Sequence, residues 1–416
     1  MGKNKSILIL LIAIFSCSLA QGITIISIPW YFTDSLKASS TFTLLYAAIT
    51  FIGLLWGLYA GVIIDFYNRK KILLYINIIN GIFFGALGLY IYFSQTTSSF
   101  LFFLAFAMCS FYYIIFFPNL YAIAQEISNK KKYVQINSLI EIFFQTTTII
   151  SALLCALLLS EKKDLINYFN LNFLTFKKLN MGETLIISSI LYLITFTLLL
   201  FINYQHKRKQ KKFNFFSTFN EIKIANSFLM KNKEILIYGI CSQVIFAFLI
   251  VELFSLLPLF VKKCLNENII TFSLADLVYA LGALLAGLVT VKILNYINKI
   301  PYTILLIITT GYAFLIMVEY IELKIFFITS FIIGLTNASV RITRMSYFFE
   351  KIPNYLIGRT NTIFNGINTL IRGLLILLFS FSWFSEKTNV IIGYKIGIYF
   401  LILFIIPLFY LFLKKN

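Results

Sequence analysis

Long apolar stretches alternate with short polar ones along the whole chain, at about 7–31, 40–64, 72–94, 100–124, 136–160, 183–203, 235–261, 271–293, 301–320, 325–345, 361–384 and 391–413. Each is long enough to cross a bilayer, because a crossing helix uses roughly 20 apolar residues. Twelve such stretches predict an all-α polytopic membrane protein. They fall into two sets of six on either side of the longest polar segment, about 204–234. The expected organisation is an N-terminal six-helix half over 1–203, a cytoplasmic basic linker over 204–234 and a C-terminal six-helix half over 235–416, the halves being pseudo-symmetric bundles. Within the linker, Phe213, Phe216, Phe219, Ile222 and Phe228 stand among Lys223 and Lys231, the pattern of an amphipathic helix on the inner leaflet. The start, Met1-Gly2-Lys3, formally fits a myristoylation pattern and a signal peptide, but the apolar stretch behind it is long enough to be a first span reaching about Trp30.

Composition narrows the class further. Of 416 residues, 60% are hydrophobic and only 12% charged, and 46 are Phe. Twelve crossings would use about 240 apolar residues, nearly all that the chain has. The net charge of +19 raises the question of nucleic acid, and the distribution of the charge answers it. Of the 35 Lys and Arg, 23 lie on the side of the termini and 10 in the opposite loops, while Arg341 and Arg372 fall inside spans. By the positive-inside rule both termini are cytoplasmic, and the excess needs no nucleic acid. A bacterial inner membrane is the expected home, lipid the expected surroundings and a monomer the expected state. Five cysteines (17, 109, 155, 241 and 264) show no metal spacing, and the single histidine, His206, lies in the linker. Neither a zinc site nor a Ser-His-Asp triad has enough parts. No phosphate-binding Gly-x-x-x-x-Gly-Lys loop is present. An enzyme is therefore not expected, nor a cofactor.

After the second span comes Gly61-Val62-Ile63-Ile64-Asp65-Phe66-Tyr67-Asn68-Arg69-Lys70-Lys71. Gly61 is suited to close approach of a neighbouring helix. Asp65 at a span end should pair with a cation or with helix N–H groups. Asn68 can close the helix in the left-handed conformation, and Arg69 to Lys71 then hold the turn at the headgroups. This loop resembles the signature of the major facilitator superfamily, between spans two and three where that family carries it. The resemblance implies two six-helix halves that alternate in access, and a switch role for Gly61, Asp65, Asn68, Arg69 and Lys70. Phe66 stands where the family commonly has a basic residue. Two further stretches, Gln125 to Lys132 with Gln135 to Leu139, and Lys351 to Asn354 with Gly358 to Asn361, are similar to the drug-efflux branch that includes macrolide-type exporters. Exporters of the superfamily usually carry Gly-x-x-x-Gly-Pro in span five. Here Thr146 to Ala156 has neither Gly nor Pro.

Ionisable groups at bilayer depth cost at least about 2.5–3.5 kcal/mol and mark pathways or pairs. Arg372, about eleven residues into span eleven, lies about 16 Å from its cytoplasmic start, near the midplane. It is the first candidate for substrate binding, with Arg341 beside it. Four of the six arginines fall between 341 and 372 in a chain that otherwise uses Lys, as though planar permanent donors were wanted there. Asn337 and Asn368 complete the candidate binding set. Glu252, among Leu249, Val251 and Phe254, is the leading proton-coupling residue, since an apolar setting favours the neutral acid and makes protonation reversible. It serves equally well as a static partner for Arg372. Asp276 and Glu141 are weaker proton-coupling candidates near span ends.

The expected function is secondary active transport by alternating access: proton-coupled export of a small amphipathic or anionic organic compound. Uptake of an organic anion with protons and lipid or lysolipid flipping are the alternatives, and a non-transporting receptor comes last because it would not need charges at this depth.

Overall fold

The structure, a computed structural model, describes residues 3–95, 98–127, 133–161, 163, 178–204, 215–353 and 356–415. The side chains of Asp65 and Glu141 lie outside the described residues, as does His206. Thirteen long helices are described: α1 (Lys3–Asp34), α2 (Ser39–Phe66), α3 (Arg69–Ser94), α4 (Ser99–Ile127), α5 (Tyr133–Leu159), α6 (Met181–Leu200), α7 (Phe215–Lys231), α8 (Lys233–Cys264), α9 (Ile269–Ile293), α10 (Lys299–Glu319), α11 (Leu323–Lys351), α12 (Ile357–Phe379) and α13 (Lys387–Lys415). All but α7 are long and apolar enough to span a membrane, and no strand occurs among the described residues. The all-α architecture follows because hydrocarbon offers backbone groups no partner, and a helix satisfies its own. The predicted amphipathic segment forms α7, with Ala225 and Leu229 buried and Lys223 and Lys231 exposed.

The chain divides into two compact units. Unit 1 comprises Met1–Ala38, Ile52–Phe213 and Glu267–Leu277; unit 2 comprises Ser39–Phe51, Asn214–Asn266 and Val278–Asn416. In unit 1, α3 packs along α6, and α1 against α4, α5 and α6. In unit 2, α10 packs on α11 and α13, and α8 on α12.

Close backbone approach, not apolar attraction, holds helices together in lipid. Gly88 of α3 and Gly182 of α6 meet so closely that a methyl on either would press on the other's carbonyl oxygen. In unit 2, a methyl on Gly282 of α9 would run into the Phe331 carbonyl, and one on Gly334 of α11 into that of Tyr279. Hydroxyl and amide pairs add to this: Tyr112 donates to Asn77 Oδ1 at 3.0 Å, Thr310 to Thr336 at 2.8 Å and Thr290 to Ser339 at 2.8 Å.

Two local expectations are corrected. Among the described residues a methyl on Gly61 would meet nothing within 4 Å, so they show no close helix approach there. Asn68 is not left-handed: with φ −65° and ψ 114° it is extended and caps the start of α3, its Oδ1 accepting from Lys71 N at 3.1 Å. The capping bond satisfies an otherwise orphaned helix N–H, which a left-handed Asn68 would have left open.

The glycine contacts yield a test. Gly282→Val should destabilise the fold by about 1–3 kcal/mol through forced repacking, whereas Gly61→Ala should be neutral or gain up to about 1 kcal/mol of helix propensity. Unfolding titrations of both variants in detergent check this, and equal effects would count against the crossing geometry.

Candidate functional site

The irregular course of α8 organises the polar groups of unit 2. Its first segment ends at Cys241, Ser242 and Gln243 form a turn, and the helix resumes at Val244. The two carbonyls at this break are read by neighbouring helices: Arg344 of α11 donates from Nη1 to Ser242 O at 3.1 Å, and Asn368 of α12 donates from Nδ2 to Gln243 O at 3.2 Å. Asn368 is buried, so its bond is structural in this state. Below the break, Tyr347 donates to Glu234 Oε1 at 2.7 Å, and Tyr238 shares a 3.0 Å hydrogen bond with Thr303.

Further along, α8 widens into π-helix twice, at Glu252–Leu256 and Phe260–Cys264, on either side of Pro258. Proline brings no N–H, and its ring excludes a carbonyl one turn back, so the ladder opens around it. Glu252 begins the first wide turn and is buried. Its Oε1 accepts a 2.7 Å hydrogen bond from Tyr394 of α13, whose ring packs against Phe260 at 5.3 Å and Phe314 at 5.7 Å. No ion pair joins Glu252 to Arg372 among the described residues.

Arg372 is half-buried on α12. Nη2 donates to Thr369 Oγ1 at 3.1 Å, the guanidinium carbon lies 5.7 Å from the centre of the Phe246 ring, and Nε is buried without a hydrogen-bond partner among the described residues. Thr369 in turn bonds Asn365 O at 2.8 Å, so the three residues follow one helix face. Tyr46 is within electrostatic reach of the same cation and packs edge-on against Phe254 at 5.0 Å. Because α12 starts at Ile357, four residues earlier than the sequence indicates, its 23 residues centre on Asn368. Arg372 therefore stands about 6 Å past the helix centre at 1.5 Å per residue.

Asn337 occupies the middle of α11 and donates to Tyr279 Oη at 2.6 Å. Arg341, one turn on, is exposed and close enough to Arg344 for their charges to interact. Asp276 belongs to unit 1, where it is half-buried on α9 beside Cys155 of α5. Thus Arg372, Asn368, Asn337, Arg341 and Glu252 share unit 2, and Asp276 does not.

The loop between α2 and α3 ties together ends of helices in unit 1. Arg69, buried, pairs with Glu126 of α4 at 2.8 Å and donates to Ala122 O at 3.1 Å, while Asn119 donates to the Arg69 carbonyl at 2.9 Å. Tyr204 donates to the same Glu126 carboxylate. Lys70 Nζ reaches the carbonyls of Leu200 and Ile202, both at 2.8 Å, where a cation suits the orphan acceptors at a helix end.

Sequence reasoning passed over Glu126, Tyr394, Gln243 and Tyr46. Glu126, an acid at the end of an apolar stretch, carried a usable signal. Tyr394 and Tyr46 are two of 25 tyrosines, and nothing local separates them from the rest.

With this geometry in hand, comparison places the chain among known proteins. A profile described as the Major Facilitator Superfamily matches residues 10–376. No curated protein sequence gives a significant match. Similar folds include a mutant of the nucleoside transporter NupG, at 13% identity and TM-score 0.74, over 98% of this chain and 100% of that one. A D-xylose-proton symporter aligns at 12% identity and TM-score 0.71, over 97% and 96%. The human organic anion transporter MFSD10 aligns at 12% and TM-score 0.66, over 98% and 100%. At such identities the likeness is one of fold.

The Arg69 cluster generates a second test. Glu126→Gln leaves a buried guanidinium without its counter-charge and should cost about 3–5 kcal/mol. Lys70→Met removes only a helix-end cation and should cost about 0.3–1 kcal/mol. Detergent unfolding of the two variants should show this order; a Glu126→Gln protein as stable as the parent would remove the ion pair from the account.

Proposed function

The chain belongs to the major facilitator superfamily, and from that premise we propose that it is a secondary active transporter that exports a small amphipathic or anionic organic compound in exchange for protons. The observation that carries the reading is the environment of Arg372. A guanidinium stays charged in any protein setting and costs at least about 2.5–3.5 kcal/mol at bilayer depth. Its described hydrogen-bond partner is a hydroxyl, its other neighbour is the Phe246 ring, and one N–H has no acceptor among the described residues. An anionic solute supplies the missing counter-charge. Asn368, Asn337 and Arg341 flank the site.

Glu252 is the proton-coupling group of this reading. In the conformation seen, the Tyr394 hydroxyl donates to its carboxylate. A conformation that breaks this bond favours the neutral acid, so the two states differ in proton affinity, which is what coupling requires. Asp276 and Glu141 are subsidiary proton carriers. Rocking of the halves 1–203 and 235–416, joined by the basic linker 204–234, moves the solute. The loop from Gly61 through Asp65, Asn68, Arg69 and Lys70 sets the switch. Both termini lie in the cytoplasm, the protein sits as a monomer in a bacterial inner membrane, and the partners are the solute, protons and lipid.

The stretches around Gln125 and Gly358 support the macrolide-exporter side of the family. The rival reading is proton-linked uptake of an organic anion. It draws on α5, an unbroken helix with neither Gly nor Pro, and on the fold shared with the D-xylose-proton symporter and the organic anion transporter.

Vesicle transport decides between them. Arg372→Ala should lower transport of anionic solutes by about tenfold or more, the loss that 1.4 kcal/mol represents, with membrane insertion intact. Anionic solutes moved equally well by the parent and the variant would refute the anion site. Glu252→Gln should bind solute yet lose its response to a pH gradient. Right-side-out and inverted vesicles report direction, and net uptake would favour the rival reading.

A further inference from the structure

Unit 1 contains a cavity of about 450 Å³ at the end opposite its N-terminus. It is formed by the last turns of α1, α3 and α5 and the first turns of α4, α6 and α9. None of Arg372, Asn368, Asn337, Arg341, Glu252 or Asp276 lines it. Volumes of about 300–1,000 Å³ are those of small-molecule sites. Two opposite charges, Asp34 and Lys178, stand on its wall with the rings of Trp30, Tyr31 and Phe102.

The rings are held in place. Trp30 stacks on Phe272 with centroids 5.5 Å apart, and Tyr31 leans on Phe102 at 4.7 Å. A carboxylate beside aromatic faces is the chemistry that retains an ammonium group. Lys178 reaches Glu161 at 3.5 Å, and both side chains are exposed. Such pairs are worth about 0–1 kcal/mol, so a ligand anion can take the place of Glu161. The rings of Trp30, Tyr31 and Phe102 on the same wall offer apolar surface beside these charges.

We infer that this cavity is a second binding site, separate from the transport site of unit 2, for a small zwitterion with an aromatic or other flat apolar body. The ammonium group lies against Asp34 and the two α1 rings, and the acidic group against Lys178. By the orientation proposed above, the site opens to the outer face, where it samples the external medium.

Protection from thiol labelling tests the inference on the full chain in detergent. The five native cysteines are buried, so Ser35→Cys, on the cavity wall, supplies the reactive thiol for a polar methanethiosulfonate. Three probes share one ring and differ in charge: L-phenylalanine, phenethylamine and 3-phenylpropanoate. Phenylalanine should slow labelling at concentrations at least about tenfold below the other two. Asp34→Asn should reduce phenylalanine to the level of phenylpropanoate, and Lys178→Gln to that of phenethylamine. Arg372→Ala should leave the protection unchanged, which separates this site from the transport site. No protection at tens of millimolar, equal protection by all three probes, or protection indifferent to both charge substitutions overturns the proposal. So does its loss in Arg372→Ala. If Asp34→Asn fails to fold, Lys178→Gln alone decides.

Discussion

Hydrocarbon accepts no hydrogen bond, and most of what the structure does with its polar groups follows from that one refusal. Backbone groups retreat into helices. Hydroxyls turn back onto their own helix, as Thr24 does on Ala20 O at 2.8 Å and Thr43 on Ser39 O at 2.9 Å. At the turn of Ser242 and Gln243 in α8, side chains from α11 and α12 donate to the two carbonyls, and the Gln243 oxygen also accepts from Ala247 N at 2.9 Å. The same rule gives weight to exceptions. Arg372 Nε is one of eight buried side-chain atoms without a hydrogen-bond partner among the described residues, and it is the one that belongs to a permanently charged group.

Charge is handled by position. Near helix ends, cations meet carbonyls or carboxylates: Lys70 on the end of α6, Arg69 on Glu126, Lys299 on Glu350. Deeper in the spans the arrangement separates acid from base. Glu252 has a tyrosine hydroxyl and Arg372 a threonine hydroxyl and a ring, and they do not pair with each other among the described residues. A direct pair would neutralise both and hold α8 to α12. Kept apart, the two residues leave α8 and α12 without such a direct tie.

The spans, their number and the helical class were legible because length and apolarity alone decide who crosses a bilayer. The loop after span two was legible as a motif but not in its mechanics. Asn68 has two good uses at a helix boundary, ending one helix or capping the next, and only the direction of the following backbone selects the second. Gly61 looked like a packing residue, yet a glycine's neighbours are set by helix rotation, which sequence spacing does not fix. Glu126 was visible as an acid without a partner, since its partner lies over fifty residues away. Gln243 and Tyr394 were invisible for opposite reasons. The first acts through its backbone carbonyl, which every residue has. The second is one phenol among many, chosen by the path of α13 past α8.

The widened turns of α8 carry a genealogical consequence. A hydrogen bond from Leu265 N to Phe260 O, and its counterpart from Leu257 N to Glu252 O, each enclose one residue more than an α-turn does. Each wide turn is equivalent to a single codon inserted into an otherwise regular span. A regular helix laid gap-free along this span and matched up to Glu252 falls one residue out of register beyond the first wide turn and two beyond the second.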